Sequence, residues 1–395
     1  MAHAMTDFGT EMRRLLGERG LSLNELARRS NYDAGYLSKI GSGRKRATVA
    51  VAARLDDVLG AGGRLAALAD DGPLFNGALS PEGRDRIEHA RRHPGRAGTA
   101  VAESLALVLD AQRHAEDTLG SAAMLQPVLA QLAVAEDLVR EARGPGRPQV
   151  VHVAGQWAQF AGWLHANTGQ RERADARLSQ ALQWAVEAGE VNLISEVLSF
   201  QGHAAYVSGY PGPVIGLSQA AQRDRGAYPG QLAISAAQEA KGHAMEGRGA
   251  DADRLLDQAD ELAAAARQRA DEAPPWLYYH TGGFFDLQRG EAYGYLAGDP
   301  LYHARAAAAL AAGYAALPAS AQGSEWGAEY LMHLAAVHAR GGDLDQAAAA
   351  AMRVAGIARA TGSARLHRIL TRFRARLAAR WPDDSRVAEL AEAIA

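Results

Sequence analysis

Residues 23–46, LNELARRSNYDAGYLSKIGSGRKR, carry the pattern that decides the fold. Ser22, just before it, is a candidate N-cap, and Glu25 three positions on completes a capping-box pattern. A helix is therefore expected to about Ser30, with Leu23, Leu26 and Ala27 inward. Asn31-Tyr32-Asp33 reads as a short turn. Asp33 can cap a further helix, Ala34 to Ile40, with Leu37 and Ile40 inward, and Gly41-Ser42-Gly43 breaks it ahead of Arg44-Lys45-Arg46. Upstream, Phe8, Met12, Leu15 and Leu16 recur at helical spacing over 8–18, and Gly20 stops that run. Downstream, Thr48 caps a helix with Val49, Ala52, Leu55 and Leu59 inward. Two short helices joined by a tight turn, inside a bundle of four or five, form a helix-turn-helix. Its second helix can enter a major groove ~12 Å wide.

Charge supports that reading. Residues 1–60 hold ten Lys or Arg against seven Asp or Glu, a balance of +3 in a chain of net charge −3, so the remaining residues sum to −6. A basic end on an acidic body points to a nucleic-acid-binding head. On charge alone a solvated helix face stays open. The length, 395 residues, fits two or three domains, and 48% hydrophobic residues are enough for a sizeable core. The chain has no cysteine, which excludes disulfides, Cys–zinc sites, thiol catalysis and iron–sulfur clusters. That is compatible with the reducing cytoplasm, the expected location. No apolar run approaches the ~20 residues of a bilayer span, and the start lacks the basic and apolar regions of a signal peptide. No membrane partner is expected. The second methionine, Met5, marks residues 1–4 as an expected addition to the native start.

Over residues 8–70 the chain resembles the Cro-like, xenobiotic-response-element (XRE) family. Leu26-Ala27, the turn at Asn31, Tyr36-Leu37-Ser38 and Gly43-Arg44 fall where that family has its equivalents. The resemblance implies that the first turn of the third helix reads base edges: Asp33, Ala34, Gly35 and Ser38, with Lys39 one turn on. Ala34 and Gly35 are weak readers, although Ala34 can touch a thymine methyl. Lys39 is the expected guanine contact. Ser22 and Asn24, with Arg44, Lys45 and Arg46, would hold phosphates and set register. The family usually carries a glutamate where Gly41 stands, so a shortened recognition helix is expected. A single head buries little surface, and double-stranded operator DNA would be bound by a homodimer. A helical head used for protein contact remains the alternative.

Beyond the head, alanine and leucine recur at three- and four-residue steps and no run alternates as a strand would, so the fold class is all-α. The expected division is a head at 6–70, a linker at 71–82 and a helical body at 83–395, with a loop at 143–149. A small residue, a glycine seven positions on and an alanine five further recur: Gly162-Gly169-Ala174, Ala240-Gly247-Ala252 and Ala335-Gly342-Ala347. Gly202-Gly209-Val214 is a degenerate copy, and a fifth around Gly298 is blurred by Asp299-Pro300. This pattern resembles the tetratricopeptide repeat (TPR), with spacings longer than its usual ~34 residues. The resemblance implies an α-solenoid of antiparallel helix pairs. The whole is similar to XRE-family regulators with a TPR-like body, common in actinobacteria. Some relatives in other Gram-positive bacteria sense short peptides.

In the TPR register the concave face would carry Gln156, Gln159, Trp163 and Asn167, then Glu196, Ser199, His203 and Tyr206, then Lys241 and Met245. Later units add Phe285, Arg289 and Tyr293, then Glu329, Met332 and Arg340. Amide, charged and aromatic side chains of this kind suit a peptide or small-molecule effector; a solvated solenoid face is the plainer reading. The aromatic group Trp276, Tyr278, Tyr279, His280, Phe284 and Phe285 is read first as core. His89 and His93 have zinc-compatible spacing but no third ligand, and no metal or cofactor is expected. Without a convergent acid–base constellation no enzyme is expected either. The expected function is a transcription regulator, with repression the default sign. An interaction scaffold that docks a protein through the repeat groove is the rival.

Overall fold

The computed structural model describes residues 2–42, 47, 49–65, 68, 78–280 and 282–394. Among the described residues the regular elements are helices and there is no strand. The chain forms two compact units, Met1–Gln112 with Ala123–Ala161, and Arg113–Ala122 with Gly162–Ala395.

The first unit begins with α1 (Ala2–Arg19), α2 (Leu23–Ser30), α3 (Ala34–Gly41) and α4 (Val49–Leu59). Met12, Leu15, Leu26, Leu37, Ile40, Leu55 and Leu59 fill their common core, each no more than 2% exposed. Leu23 is half-buried against it. α3 is not cut short at Gly41, which is buried and helical. The missing glutamate therefore has a packing reason. A Cβ on Gly9 of α1 would come 2.1 Å from the Gly41 carbonyl oxygen, and one on Gly41 would come 2.7 Å from Met12 Cε.

α5 (Pro81–Arg92) starts inside the stretch expected as a linker, capped by Ser80 on the Gly83 N–H; residues 71–77 lie outside the described residues. α6 (Thr99–Leu119), α7 (Ser121–Glu141) and α8 (Arg147–Asn167) follow. Ala130 of α7 joins the core of the head. The loop expected at 143–149 is shorter than read. Gly144–Gly146 is a single 3-10 turn and α8 begins at Arg147, because Pro148 fits a first helical turn, where its absent N–H is not needed. The reading that no apolar run approaches a bilayer span also needs correction. Ser121–Glu141 is long and apolar enough by length and composition, with mean hydropathy 1.3 over 18 residues, half of them buried in the fold. Core helices of globular units pass the same test, and Met124, Val128, Leu132 and Leu138 are fully buried.

The second unit is built of helix pairs: α10 (Val191–Val207) with α11 (Pro211–Ala221), α12 (Pro229–Met245) with α13 (Gly249–Arg267), and α14 (Phe284–Leu296) with α15 (Pro300–Ala316). A one-turn α16 (Ala319–Gln322) leads to the pair α17 (Glu325–Gly341) and α18 (Leu344–Thr361). α9 (Arg171–Ala188) precedes them; α19 (Ala364–Arg380) and α20 (Ser385–Ile394) close the unit. The glycines expected at turns take left-handed backbone there: Gly169 (φ 79°), Gly209 (76°), Gly247 (76°) and Gly342 (87°). Ala174, Val214, Ala252 and Ala347 are at most 2% exposed. Close approach explains the two glycines seven positions before these turns, since a Cβ on Gly162 would come 2.9 Å from Leu178 Cδ2 and one on Gly202 2.4 Å from Gln238 Nε2. The blurred fifth copy is a regular pair too. Asp299 caps α15 through the Leu301 N–H at 2.8 Å, with Pro300 in its first turn.

The first helices of successive pairs, α10, α12, α14 and α17, pack side by side. α12 is buried almost all round, yet it carries Gln231, Ser235, Gln238, Glu239, Lys241 and His243. Buried polar groups need partners, and those partners define the interior chemistry of this unit.

Candidate nucleic-acid interface and the polar cluster of the inner helices

Local chemistry fixes the geometry of the head. The Ser22 hydroxyl accepts from the Glu25 N–H at 3.1 Å. The reciprocal half of the capping box is not made. Glu25 instead binds Arg28 Nη2 at 2.6 Å and Arg29 Nε at 3.0 Å, and these two hydrogen bonds, Arg28 first, hold its carboxyl below the usual range. Asn31 ends α2 in the left-handed region at φ 63°, a conformation its short polar side chain tolerates. Asp33 Oδ1 then accepts from the Tyr36 N–H at 2.8 Å and starts α3.

With Leu37 and Ile40 in the core, the opposite face of α3 is exposed: Gly35, Ser38 and Lys39, with Ala34 half-buried. Asn24 of α2 is exposed too, while Ser22 and Asp33 lie at the helix starts, and Asp33 commits one carboxylate oxygen to its own helix. Lys39 makes no ion pair among the described residues, whereas Arg14, Arg28 and Arg29 each hold a carboxylate. Arg44, Lys45 and Arg46 lie outside the described residues, as does the Thr48 cap. A capped helix, a left-handed turn and a second capped helix with one solvated face can present side chains to the edges of bases in a major groove.

Residues 7–69 match the family described as a helix-turn-helix domain. The head is a helix-turn-helix DNA-binding domain. No curated protein matches the chain. Within this domain α2 and α3 are the two helices of the motif; of the positions expected to read bases, Gly35, Ser38 and Lys39 share the solvated face of α3, Ala34 is half-buried and Asp33 caps the helix start.

In the second unit four inner helices converge on Glu291 of α14. Tyr206 of α10 donates to its Oε1 at 2.6 Å, Lys241 of α12 binds Oε2 at 2.9 Å, and His333 of α17 stands 2.9 Å from Oε1. Burial alone would raise the Glu291 carboxyl, but Lys241 and His333 outweigh it and hold the group well below its usual value. For His333 burial works against the charge, and Glu291 more than restores it, so its pKa is raised. Burial, with Glu291 adding to it, pushes the Tyr206 phenol well up. Tyr295, 42% exposed, donates to the Tyr206 hydroxyl at 3.1 Å and carries the network to the surface.

Glu196 differs. It is 1% exposed, and its Oε2 has no hydrogen-bond partner. Burial raises its pKa to about 7, against the opposing effects of Gln231 and Arg113. Gln231 in turn accepts from Trp276 Nε1 at 3.1 Å. The last turns of α6 belong to this unit: Tyr278 donates to the Arg113 carbonyl at 3.3 Å, and Trp326 Nε1 to Asp117 Oδ1 at 3.0 Å. Glu116, bonded to Ser121, is pushed to about 7 by burial.

The residues expected on the concave face divide. Glu196, His203, Tyr206 and Lys241 belong to the inner helices, and Trp163 stands 5.9 Å from the His203 ring and 5.6 Å from Phe200. Asn167 is buried and donates to Ser121 Oγ at 2.9 Å. Glu329 pairs with Arg365. Gln156 and Gln159, each 3% exposed, lie in the first unit, where Gln156 Nε2 is 2.7 Å from His152 Nε2. Arg289 and Tyr293 need correction. Both face α13: Arg289 pairs with Asp257 and Asp260, and Tyr293, 1% exposed, donates to Asp253 at 2.7 Å. The expected register on α14 is two residues off, and at about 100° per residue two residues reach the opposite face. The inward row is Gln288, Glu291 and Tyr295. Of the aromatic group read as core, Trp276 and Phe284 are buried, while Tyr278, Tyr279, His280 and Phe285 are half-buried. Among the described residues no group of three or more His, Asp or Glu is placed to hold a metal ion.

Proposed function

We propose that the chain is a sequence-specific transcriptional regulator of the XRE type. It acts in the cytoplasm, without catalysis, as a homodimer on a two-fold-symmetric operator, with repression as the default sign. The observation that carries this is the solvated face of α3, with Ser38 and Lys39 exposed beside a capped α2, inside the matched residues 7–69. The experiment is selection of bound duplexes from a random pool by the full chain at ~150 mM salt, where non-specific binding is weak. Recovery of a palindrome supports the reading, and its half-site spacing measures the head separation. Recovery of unrelated sequences, or undiminished binding by Lys39→Ala, rejects it.

The TPR-like body is read as the dimerisation and sensing part. Support comes from the inner helices, where Glu196 keeps an unpaired carboxylate oxygen and the Glu291 cluster reaches the surface through Tyr295. A peptide or small molecule carrying a cationic or amide group would complete those bonds. It would regulate DNA binding only if it prefers one arrangement of the inner helices. Thermal stabilisation of the full chain by a candidate effector, abolished by Glu196→Gln, tests this part.

A further inference from the structure

α19 carries six arginines and His367 and no acidic residue over Ala364–Arg380. The chain has 42 basic and 45 acidic residues; without these six the balance is 36 − 45 = −9. A strongly positive helix thus stands in an otherwise acidic body. Leu366, Leu370, Phe373 and Leu377 form its buried face. Three of the arginines have structural roles or shelter: Arg365 pairs with Glu329, Arg380 donates to the Ala339 carbonyl at 2.7 Å, and Arg374 is half-buried.

The other three, Arg368, Arg372 and Arg376, form one exposed row at four-residue steps. Among the described residues none of them has an ion pair or a hydrogen bond; Arg376 lies 5.6 Å from the Phe373 ring. Six arginines elsewhere do the opposite. Arg14, Arg28, Arg92, Arg140, Arg254 and Arg269 each pair with a carboxylate three or four residues away. Like charges one turn apart repel, and neutral helix formers would serve the fold of α19 equally well. What sets this row apart is three such guanidinium groups on one exposed helix face, free to meet an anion.

We propose that this row of α19 is a second DNA contact, one that grips the phosphate backbone without reading sequence. Four-residue steps rise about 6 Å along a helix, close to the separation of neighbouring phosphates on one strand. Guanidinium groups bind phosphate oxygens in a two-pronged fashion. Duplex DNA is the anion this chain is already equipped to meet, so the inference rests on the DNA-binding reading of the head. Contacts of this type add affinity and salt dependence but no base preference.

The test uses the full chain and a duplex of random sequence, titrated over salt concentration. In the variant R368Q/R372Q/R376Q, the slope of log affinity against log salt should fall by about 2 to 3, at ~0.9 for each phosphate that is no longer neutralised. Affinity at ~150 mM salt should drop on the order of 10- to 100-fold. The base preference found by selection should not change, and R368K/R372K/R376K should keep most of the slope. An unchanged slope overturns the proposal, and so does a Lys variant as impaired as the Gln variant. Binding to anionic phospholipid vesicles, abolished in the Gln variant while DNA binding persists, would replace DNA by a membrane surface. Dissociation of a dimer with DNA binding intact would replace it by a second copy. The two readings fail separately. Base preference with a stripe-independent slope leaves the head reading standing alone, and a stripe-dependent slope without base preference leaves only the stripe.

Discussion

Gly9 and Gly41 meet backbone to backbone, so that a Cβ on Gly9 would lie 2.1 Å from the Gly41 carbonyl oxygen. This contact sets the separation of α1 and the recognition helix α3. Alanine is favoured over glycine in helices by ~1 kcal/mol, but here the clash is with backbone and has nowhere to go. Gly9→Ala should destabilise the head by about 1 to 3 kcal/mol and weaken DNA binding. Gly41→Ala should cost less, because its obstacle is the flexible end of Met12, 2.7 Å away. Thermal unfolding of the two variants gives the order, and the reverse order would refute the account.

The two caps make separable contributions. Ser22→Ala and Asp33→Ala each remove an acceptor for a helix-start N–H, worth about 1 kcal/mol. Only Asp33 starts the helix that carries Lys39. At matched loss of stability, Asp33→Ala should lower DNA affinity more than Ser22→Ala does, as fluorescence anisotropy on a selected duplex would show.

Lys241 and Glu291 are a buried ion pair, with side chains 4% and 5% exposed. Removing one charge strands the other. Lys241→Met should cost on the order of 3 kcal/mol, moderated by Tyr206 and His333, which remain on the carboxylate. Lys241→Met with Glu291→Gln should recover part of the loss. Equilibrium denaturation of the double-mutant cycle measures the coupling, and strict additivity would contradict the geometry.

Glu196 predicts a pH dependence of definite sign. Its folded pKa, about 7, lies above its ordinary value of 4.5, so between these the folded chain holds a proton that the unfolded chain releases. Its contribution to stability must then fall as pH rises from about 4.5 to about 7 and level off above. Glu116, also at about 7, adds a contribution of the same sign. Glu196→Gln should flatten part of this slope and Glu116→Gln the rest. His165 and His280, lowered by burial to about 4 and about 3, contribute with the opposite sign over much of this interval, so the test is the difference between wild type and variant. A profile unchanged by both substitutions would contradict both assignments.

The parts legible from sequence are those with local chemistry. Ser22 and Asp33 cap because their side chains reach an N–H three residues on. Gly169, Gly209, Gly247 and Gly342 turn the chain because left-handed backbone suits glycine. The α14 register is not legible, because nothing in the Asp299-Pro300 region fixes where the preceding helix starts. Phe285, Arg289 and Tyr293 look as suitable for an inner face as Gln288, Glu291 and Tyr295. The partners of Asp117 and Arg113 are 209 and 165 residues away, and no periodicity signals such a contact. In sequence Gly41 looks like a defect in the recognition helix, because its counterpart, Gly9, sits 32 positions earlier on another helix.

The burial of Lys241 bears on how the protein can be watched. The chain has three lysines, Lys39, Lys45 and Lys241. One amine is locked against Glu291 at 2.9 Å, while Lys39 stands open on α3. An amine-reactive reagent therefore finds its lysine target on the head and not in the interior of the body. Shielding of Lys39 from acylation, followed by peptide mass mapping, becomes a footprint of DNA occupancy, and late labelling of Lys241 becomes a clock for opening of the inner helices.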